Sequence, residues 1–271
     1  MSETILITGT SSGIGKATTK YFAEKGWNVI ATMRSPEKED ELTKFDNVLV
    51  TKLDVLDTAS IKSAVVEGIE KFGKIDVIVN NAGYGAFGPL ESFSNERIRR
   101  QFDVNVLGLL DVIKEIIPHF RKNKDGILIN ISSIGGKLGL PFGSLYHGTK
   151  FAVEGISEAL NYEFGKIGCK VKIVEPGVIQ TDFGKRSFDF ANDESLVEYQ
   201  DLVEKFIQSL KTMLENGSDP MVVAKVIYEA ATDGTNKLRY TAGEDAKQLM
   251  TARKKMEDKE FFETVKSQFG I

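Results

Sequence analysis

Residues 4–15 read TILITGTSSGIG. The first five, Thr4 to Thr8, form a short apolar and β-branched run that stops at Gly9. Such a run bounded by glycine reads as a buried strand. Gly9, Gly13 and Gly15 then punctuate a turn ahead of a helical pattern over 14–25. Glycines lack Cβ, so the backbone can turn sharply and approach a pyrophosphate closely. The helix that follows offers free N–H groups and a partial positive charge to the phosphates. Gly9, Ser11, Ser12, Gly13, Ile14 and Gly15 are therefore expected to hold a dinucleotide. A tight structural turn is the alternative reading.

The same strand-then-helix unit recurs along the chain. Strands are expected at 28–33, 47–51, 75–80, 126–131, 170–175 and 237–241, in addition to 4–8. Helices are expected at 36–45, 58–72, 95–104, 106–121, 144–165 and 221–231. In 58–72, Ile61, Ala64, Val65, Ile69 and Phe72 form an apolar stripe at helical spacing. The strands are nearly continuous apolar runs, as when both sheet faces are covered. The fold expected is α/β: a single Rossmann-type, doubly wound parallel sheet of about seven strands with helices on both faces. Ligands of such sheets bind beyond the carboxyl ends of the strands. The residues just after each strand are therefore the place to look for chemistry.

Composition narrows the function further. The chain has 271 residues, 41% hydrophobic and 27% charged, with a formal net charge of −4. That suits a domain with a sizeable core and argues against disorder. A mildly acidic balance gives no electrostatic reason to bind nucleic acid or anionic lipid. One cysteine, Cys169, excludes an intramolecular disulfide and fits a reducing compartment. With only two histidines, His119 and His147, no metal site is expected. No run reaches the roughly 18 apolar residues of a membrane span, and the apolar start is too short for a signal peptide. A cytoplasmic protein is expected.

Further motifs follow the glycine turn in order. Asp54 and Val55 follow the third strand, and Asn80-Asn81-Ala82-Gly83 closes the fourth. Ser133 follows the fifth, Tyr146 and Lys150 lie thirteen and seventeen residues later, and Pro176-Gly177-Val178 with Thr181 and Asp182 follows the sixth. In type, order and spacing this set resembles the short-chain dehydrogenase/reductase family over about residues 3–182, and more weakly to 243. The resemblance is nearest to NADP-preferring carbonyl reductases and to hydroxysteroid or retinol dehydrogenases. It implies that Asp54 and Val55 meet the adenine, and that Asn81, Ala82 and Gly83 border the cofactor. It also implies that Pro176, Gly177, Val178 and Thr181 surround the nicotinamide.

The second strand bears on the choice of cofactor. An acid at its end would accept bonds from the ribose hydroxyls of NAD. Here the strand ends Ala31-Thr32-Met33-Arg34, and Arg34 can instead pair with a 2′-phosphate. NADP(H) is favoured, with NAD(H) as the alternative.

Residues i and i+4 share a helix face, so Tyr146 and Lys150 are neighbours. A nearby cation favours the phenolate, and such a pair can move a proton to or from an alcohol oxygen. The resemblance implies that Tyr146 exchanges that proton. Lys150 would lower the tyrosine pKa and bind the nicotinamide ribose, and Ser133 would steady the substrate oxygen. Ser132 is the rival of Ser133, which alone has the family spacing to the tyrosine. Asn105 matches the asparagine of a water-linked proton path; the alternative is that it holds a helix kink, and the two roles are compatible. Gly148 and Thr149 depart from the commonest form of the motif, which has Ala and Ser there. Neither histidine is placed as an obvious partner.

The expected protein is thus an oxidoreductase moving a hydride between NADP(H) and a carbonyl or alcohol. Tyr84, Phe87, Leu138, Leu140, Phe142, Phe183, Phe188 and Phe190 suggest an apolar substrate, with core packing as the alternative for each. The chain reads as one domain over 1–271, with 183–218 as an irregular substrate lid and 244–271 as an amphipathic helical tail through Leu249, Met250, Met256, Phe262, Val265 and Phe269. The resemblance implies a homodimer or homotetramer. A non-catalytic NADP(H)-binding sensor or scaffold is the competing reading, against which the intact Ser133, Tyr146 and Lys150 stand.

Overall fold

The computed structural model describes residues 2–181 and 187–270. The opening strand is β1 (Thr4–Thr8), with all five residues buried, and α1 (Gly13–Glu24) follows the glycine turn. Next come β2 (Asn28–Met33), β3 (Val48–Lys52), α2 (Thr58–Phe72) and β4 (Val77–Asn80). The middle of the chain gives β5 (Gly85–Phe87), α3 (Asn95–Phe102), α4 (Gly108–Asn123), β6 (Ile127–Ile131) and α5 (Ser144–Lys166). The rest gives β7 (Lys170–Pro176), β8 (Phe188–Phe190), α6 (Val197–Glu215), α7 (Pro220–Thr232), β9 (Arg239–Ala242), α8 (Glu244–Lys255) and α9 (Asp258–Phe269).

Seven strands form one parallel sheet in the order β3-β2-β1-β4-β6-β7-β9. The expected doubly wound α/β architecture is therefore present. The chain builds outward from β1 through β2 to β3, then returns to β1's other side at β4. That reversal is the switch point where such sheets open a crevice. Gly9 and Asn81 stand at its two lips, one residue past β1 and one past β4.

Successive residues of a strand point to opposite faces, and the core is divided accordingly. Ile5 and Ile7 face one side with Phe22, Trp27, Val223 and Ile227, under α1 and α7. Leu6 faces the other with Ile61, Ala64, Val65, Val112, Ile116 and Phe120, under α2 and α4. Burying each large side chain stabilises the fold by about 1.5–3 kcal/mol. The stripe expected on α2 is thus buried at Ile61, Ala64 and Val65.

Four local features differ from expectation. Residues 36–45 form two separate 3-10 turns, Pro36–Lys38 and Leu42–Lys44. The Glu39 carboxylate accepts from the amides of Glu41 and Leu42 at 2.9 Å each, and this local bonding competes with a continuous helix. Between α3 and α4 the chain continues through a π-helical turn, Asp103–Leu107. Residues 183–218, expected to be irregular, contain β8 and the five-turn α6 (182–186 lie outside the described residues). β8 pairs in parallel with β5 as a separate two-stranded sheet. The tail is two helices. The break near Met256 changes the face presented, so Phe261 is buried and Phe262, expected in the apolar stripe, is 52% exposed. Among the described residues no helix is long and apolar enough to cross a membrane.

Candidate active site

A cleft of about 850 Å³ opens at the carboxyl ends of the central strands. Its first half is built by the glycine turn. Gly9 and Gly13 have φ of +73° and +55°, values that favour glycine over any L side chain. The Ser12 side chain does not cap α1, and no acidic residue sits in the helix's first turn. The positive end of α1 therefore faces the cleft uncompensated, beside Ser11, Ser12, Gly13 and Ile14. Gly15 plays another part. A Cβ there would stand 2.3 Å from the Gly9 carbonyl oxygen and 2.6 Å from Asn81 Nδ2, so it lets helix and turn close rather than forming a wall.

The Asn80-Asn81 pair divides its work. Asn80 Nδ2 donates to Asn130 Oδ1 at 3.0 Å inside the sheet. Asn81 Nδ2 donates to the carbonyls of Thr8 and Gly9 at 2.8 and 3.0 Å. The backbone amides of Asn81 and Ala82 both donate to Thr8 Oγ1 at 3.0 Å. These bonds lock the β4 turn onto the glycine turn, with Asn81, Ala82 and Gly83 along the cleft.

Arg34, Asp54 and Val55 line the far end of the same half. Arg34 is exposed and forms no ion pair among the described residues. The nearby Glu39 is already engaged by Lys16, whose Nζ lies 3.2 Å away, and by two amides. On the opposite wall Pro176 ends β7, and Gly177, Val178 and Thr181 follow it. Asp245 of α8 accepts from the Val178 amide at 2.8 Å and fixes this turn. Thr181 closes over the glycine turn: a Cβ on Gly13 would lie 3.2 Å from the Thr181 side chain. Asp182 and Phe183 lie outside the described residues.

Ser133, Tyr146 and Lys150 meet at the cleft's centre. Strand β6 delivers Ser133 at its end, and the first turns of α5 deliver the other two. Burial pushes the Tyr146 phenol up to about 12, against a hydrogen bond with Ser133 that pulls it down. Burial also pushes the Lys150 ammonium down to about 8. Lys150 Nζ donates to the Ile131 carbonyl at 2.8 Å and lies 5.7 Å from the Tyr146 ring centre. The lysine was expected to lower the tyrosine pKa; in this arrangement burial outweighs every downward influence on the phenol. Tyr146 is therefore a neutral hydroxyl at neutral pH, equipped to give a proton.

Asn105 does not line the cleft. It is buried in the π turn, where its Nδ2 donates to the Tyr84 carbonyl at 2.8 Å and to Thr149 Oγ1 at 3.1 Å. Its Oδ1 accepts from the Tyr84 amide at 3.1 Å. The side chain thus ties the π turn to the β4–β5 loop and to α5.

The second half of the cleft is apolar. Tyr84, Phe87, Leu140 and Phe188 line it as expected, while Leu138, Phe142 and Phe190 pack behind them. Phe206, Leu210 and Met213 of α6 and Phe269 of α9 complete it and were not anticipated. Their signal was present: Val203, Phe206, Leu210 and Met213 recur at helical spacing. Arg97 and Arg100 of α3 stand at its polar rim, and Arg97 is paired with Asp189 of β8.

Comparisons with known proteins agree with this geometry. The model of the short chain dehydrogenase family matches residues 3–192. An uncharacterized oxidoreductase of Schizosaccharomyces pombe is 45% identical over 239 residues, covering 88% of this chain and 100% of the relative. A 3-ketodihydrosphingosine reductase of Bacteroides thetaiotaomicron is 37% identical, covering 83% of this chain and 82% of the relative. Among solved structures, a short-chain dehydrogenase from Streptomyces avermitilis superposes with a TM-score of 0.82 at 32% identity, covering 93% of this chain and 92% of that one. The protein ElxO with NADP bound superposes with a TM-score of 0.73 at 29% identity, covering 89% of this chain and 98% of that one. The chain belongs to the short-chain dehydrogenase family. It is an oxidoreductase of that family, with an NAD(P)-binding fold suited to CH–OH donors and a small-molecule substrate.

Proposed function

We propose that the protein reduces apolar ketones or aldehydes with NADPH, and that Tyr146 supplies the proton. The observation that carries this reading is the Tyr146 hydroxyl in the cleft, hydrogen-bonded with Ser133. The nicotinamide, when bound, supplies the hydride. The Tyr146 O–H donates to the carbonyl oxygen as negative charge develops there, and the Ser133 hydroxyl donates to the same oxygen. The Lys150 ammonium holds the cofactor ribose and keeps positive charge beside the phenol. Asn105 acts as a support. The uncapped start of α1 fits a pyrophosphate, and the unpaired Arg34 fits a 2′-phosphate better than a bare ribose. The NADP of ElxO and the 3-ketodihydrosphingosine named for the Bacteroides relative are in keeping with the two halves.

In the same reading α6 and the 244–271 tail cover the substrate, and the chain works as a single cytoplasmic domain. The exposed apolar residues Leu107, at the end of the π turn before α4, and Phe151 of α5 suit a homodimer or homotetramer. The test is NADPH oxidation with ketones and aldehydes of increasing apolar length, with NADH in parallel. Turnover that improves with length and prefers NADPH is expected. Tight NADPH binding without turnover of any carbonyl would replace this reading with the sensor or scaffold.

A further inference from the structure

His147 follows the tyrosine and lies on the buried side of α5. It is 8% exposed, and its ring packs edge-on against Phe87 and Tyr146, with centres 6.2 and 5.7 Å away. The ring occupies a slot made by two glycines. A Cβ on Gly135 would stand 2.4 Å from His147 Nδ1, and a Cβ on Gly143 would stand 2.1 Å from its Cδ2. No other residue type at either glycine leaves room for the ring in this position.

The slot ends on one hydrogen bond. His147 Nδ1 lies 3.0 Å from the Gly135 carbonyl oxygen, an acceptor, so Nδ1 carries the ring proton. Nε2 is then a bare acceptor, buried and without a hydrogen-bond partner among the described residues. Burial holds the imidazole pKa below its ordinary value, so the ring stays neutral. The amide of the same Gly135 donates to Ser133 Oγ at 3.0 Å. Gly135 is thus held on its carbonyl by the residue after Tyr146, while its amide occupies a lone pair of the Ser133 hydroxyl. A hydroxyl has one proton to give. With an N–H already directed at its oxygen, Ser133 must turn its own proton away from Gly135, on the side where the Tyr146 hydroxyl lies.

We propose that His147 is a positioning residue that acts through Gly135 to aim the Ser133 hydroxyl at the reacting oxygen. The proposal rests on Ser133 and Tyr146 being the proton-handling pair. His147 borders the cleft, and its part in this proposal is to fix the 133–136 turn relative to α5. Its neutral, Nδ1-protonated form is the one that does so. An isosteric side chain without a donor leaves the Gly135 carbonyl unpaired and the turn free to rotate.

Two measurements test it. The first needs no turnover: imidazole ¹⁵N NMR of the full chain, in which His147 is assigned with the His119→Gln variant. A neutral Nδ1–H tautomer at pH 7 is expected, and the Nε2–H tautomer, which has no proton for the Gly135 carbonyl, would overturn the clamp. The second is a kinetic cycle with NADPH and a carbonyl that the wild type reduces. His147→Leu is expected to lower kcat about tenfold or more, a share of the roughly 10²–10³ that loss of a directly placed donor produces. NADPH affinity should stay within about twofold. His147→Asn, whose amide nitrogen reaches the place of Nδ1, should restore most of kcat. In a Ser133→Ala background, His147→Leu should have no further effect on kcat. Equal losses in the Leu and Asn variants, or a full further loss in the Ser133→Ala background, would overturn the proposal. If the Leu variant fails to fold, the NMR result and the Asn variant measured in both backgrounds decide it. A wild type that reduces no carbonyl speaks against the proposed function and leaves the tautomer test intact.

Discussion

The Lys150 ammonium donates to the carbonyl of Ile131 at 2.8 Å, joining the helix that carries Tyr146 to the strand that delivers Ser133. The lysine is therefore a strut as well as a charge. Its ammonium is held at about 8 against an ordinary 10.5, because burial disfavours the cation. The folded protein thus binds fewer protons than the unfolded chain between those values, and stability from this group rises with pH across that window. Tyr146, raised from 10 to about 12, acts in the opposite direction but only above pH 10. Urea unfolding of the wild type and Lys150→Met at pH 8 and pH 10 should show the wild type gaining relative to the variant as pH rises. A constant difference would contradict the lowered pKa.

Tyr146→Phe removes the hydroxyl and keeps the ring that packs 5.2 Å from Phe87. NADPH affinity should change less than about threefold, while turnover falls by about 10²–10⁴, the usual share of a placed proton donor. Fluorescence titration and steady-state rates on the same preparation separate the two. Retained turnover would remove the tyrosine from its role.

Arg34→Ala should weaken NADPH by about tenfold to a hundredfold, the value of hydrogen bonds to a charged group. NADH binding should hardly change. Equal losses for both cofactors would mean that the arginine does not meet a 2′-phosphate.

Asn105→Ala leaves the Tyr84 amide and carbonyl without the side-chain partners at 3.1 and 2.8 Å that they now have. Unfolding free energy should fall by about 1–3 kcal/mol. A loss of activity with unchanged stability would instead favour a proton path through this residue.

Phe206→Ala opens the apolar half of the cleft without touching Ser133, Tyr146 or Lys150. KM for a long apolar carbonyl should rise about fivefold to a hundredfold, by the loss of about 1–3 kcal/mol of packing. NADPH affinity should be unchanged. An equal rise for a short carbonyl would show that the helix supports the fold rather than the substrate.

The nucleotide half of the cleft was legible in the sequence because each of its residues sits directly after a strand, where chain order dictates spatial order. Ser133, Tyr146 and Lys150 were legible for the same reason. What stayed hidden depends on contacts distant along the chain. His147 finds Gly135 twelve residues earlier, and Asn105 finds Tyr84 twenty-one residues earlier. β5 and β8 have three residues each, too few for a period to appear, and exist only because they pair with one another. The tail read as one helix because Met256 and Phe262 fit a single stripe; the break between α8 and α9 rotates the second half and buries Phe261 instead.

Tyr84, Phe87 and Leu140 apart, the apolar half of the cleft comes from a later stretch of chain than the nucleotide half. The glycine turn, the Asn81 lock and the reacting residues all precede residue 182, whereas Phe206, Leu210, Met213 and Phe269 come from the last third. Heredity can therefore edit one without rewriting the other. A change in α6 or α9 exchanges the molecules admitted while the hydride chemistry is inherited intact, so diversification of this lineage should concentrate in its final ninety residues or so.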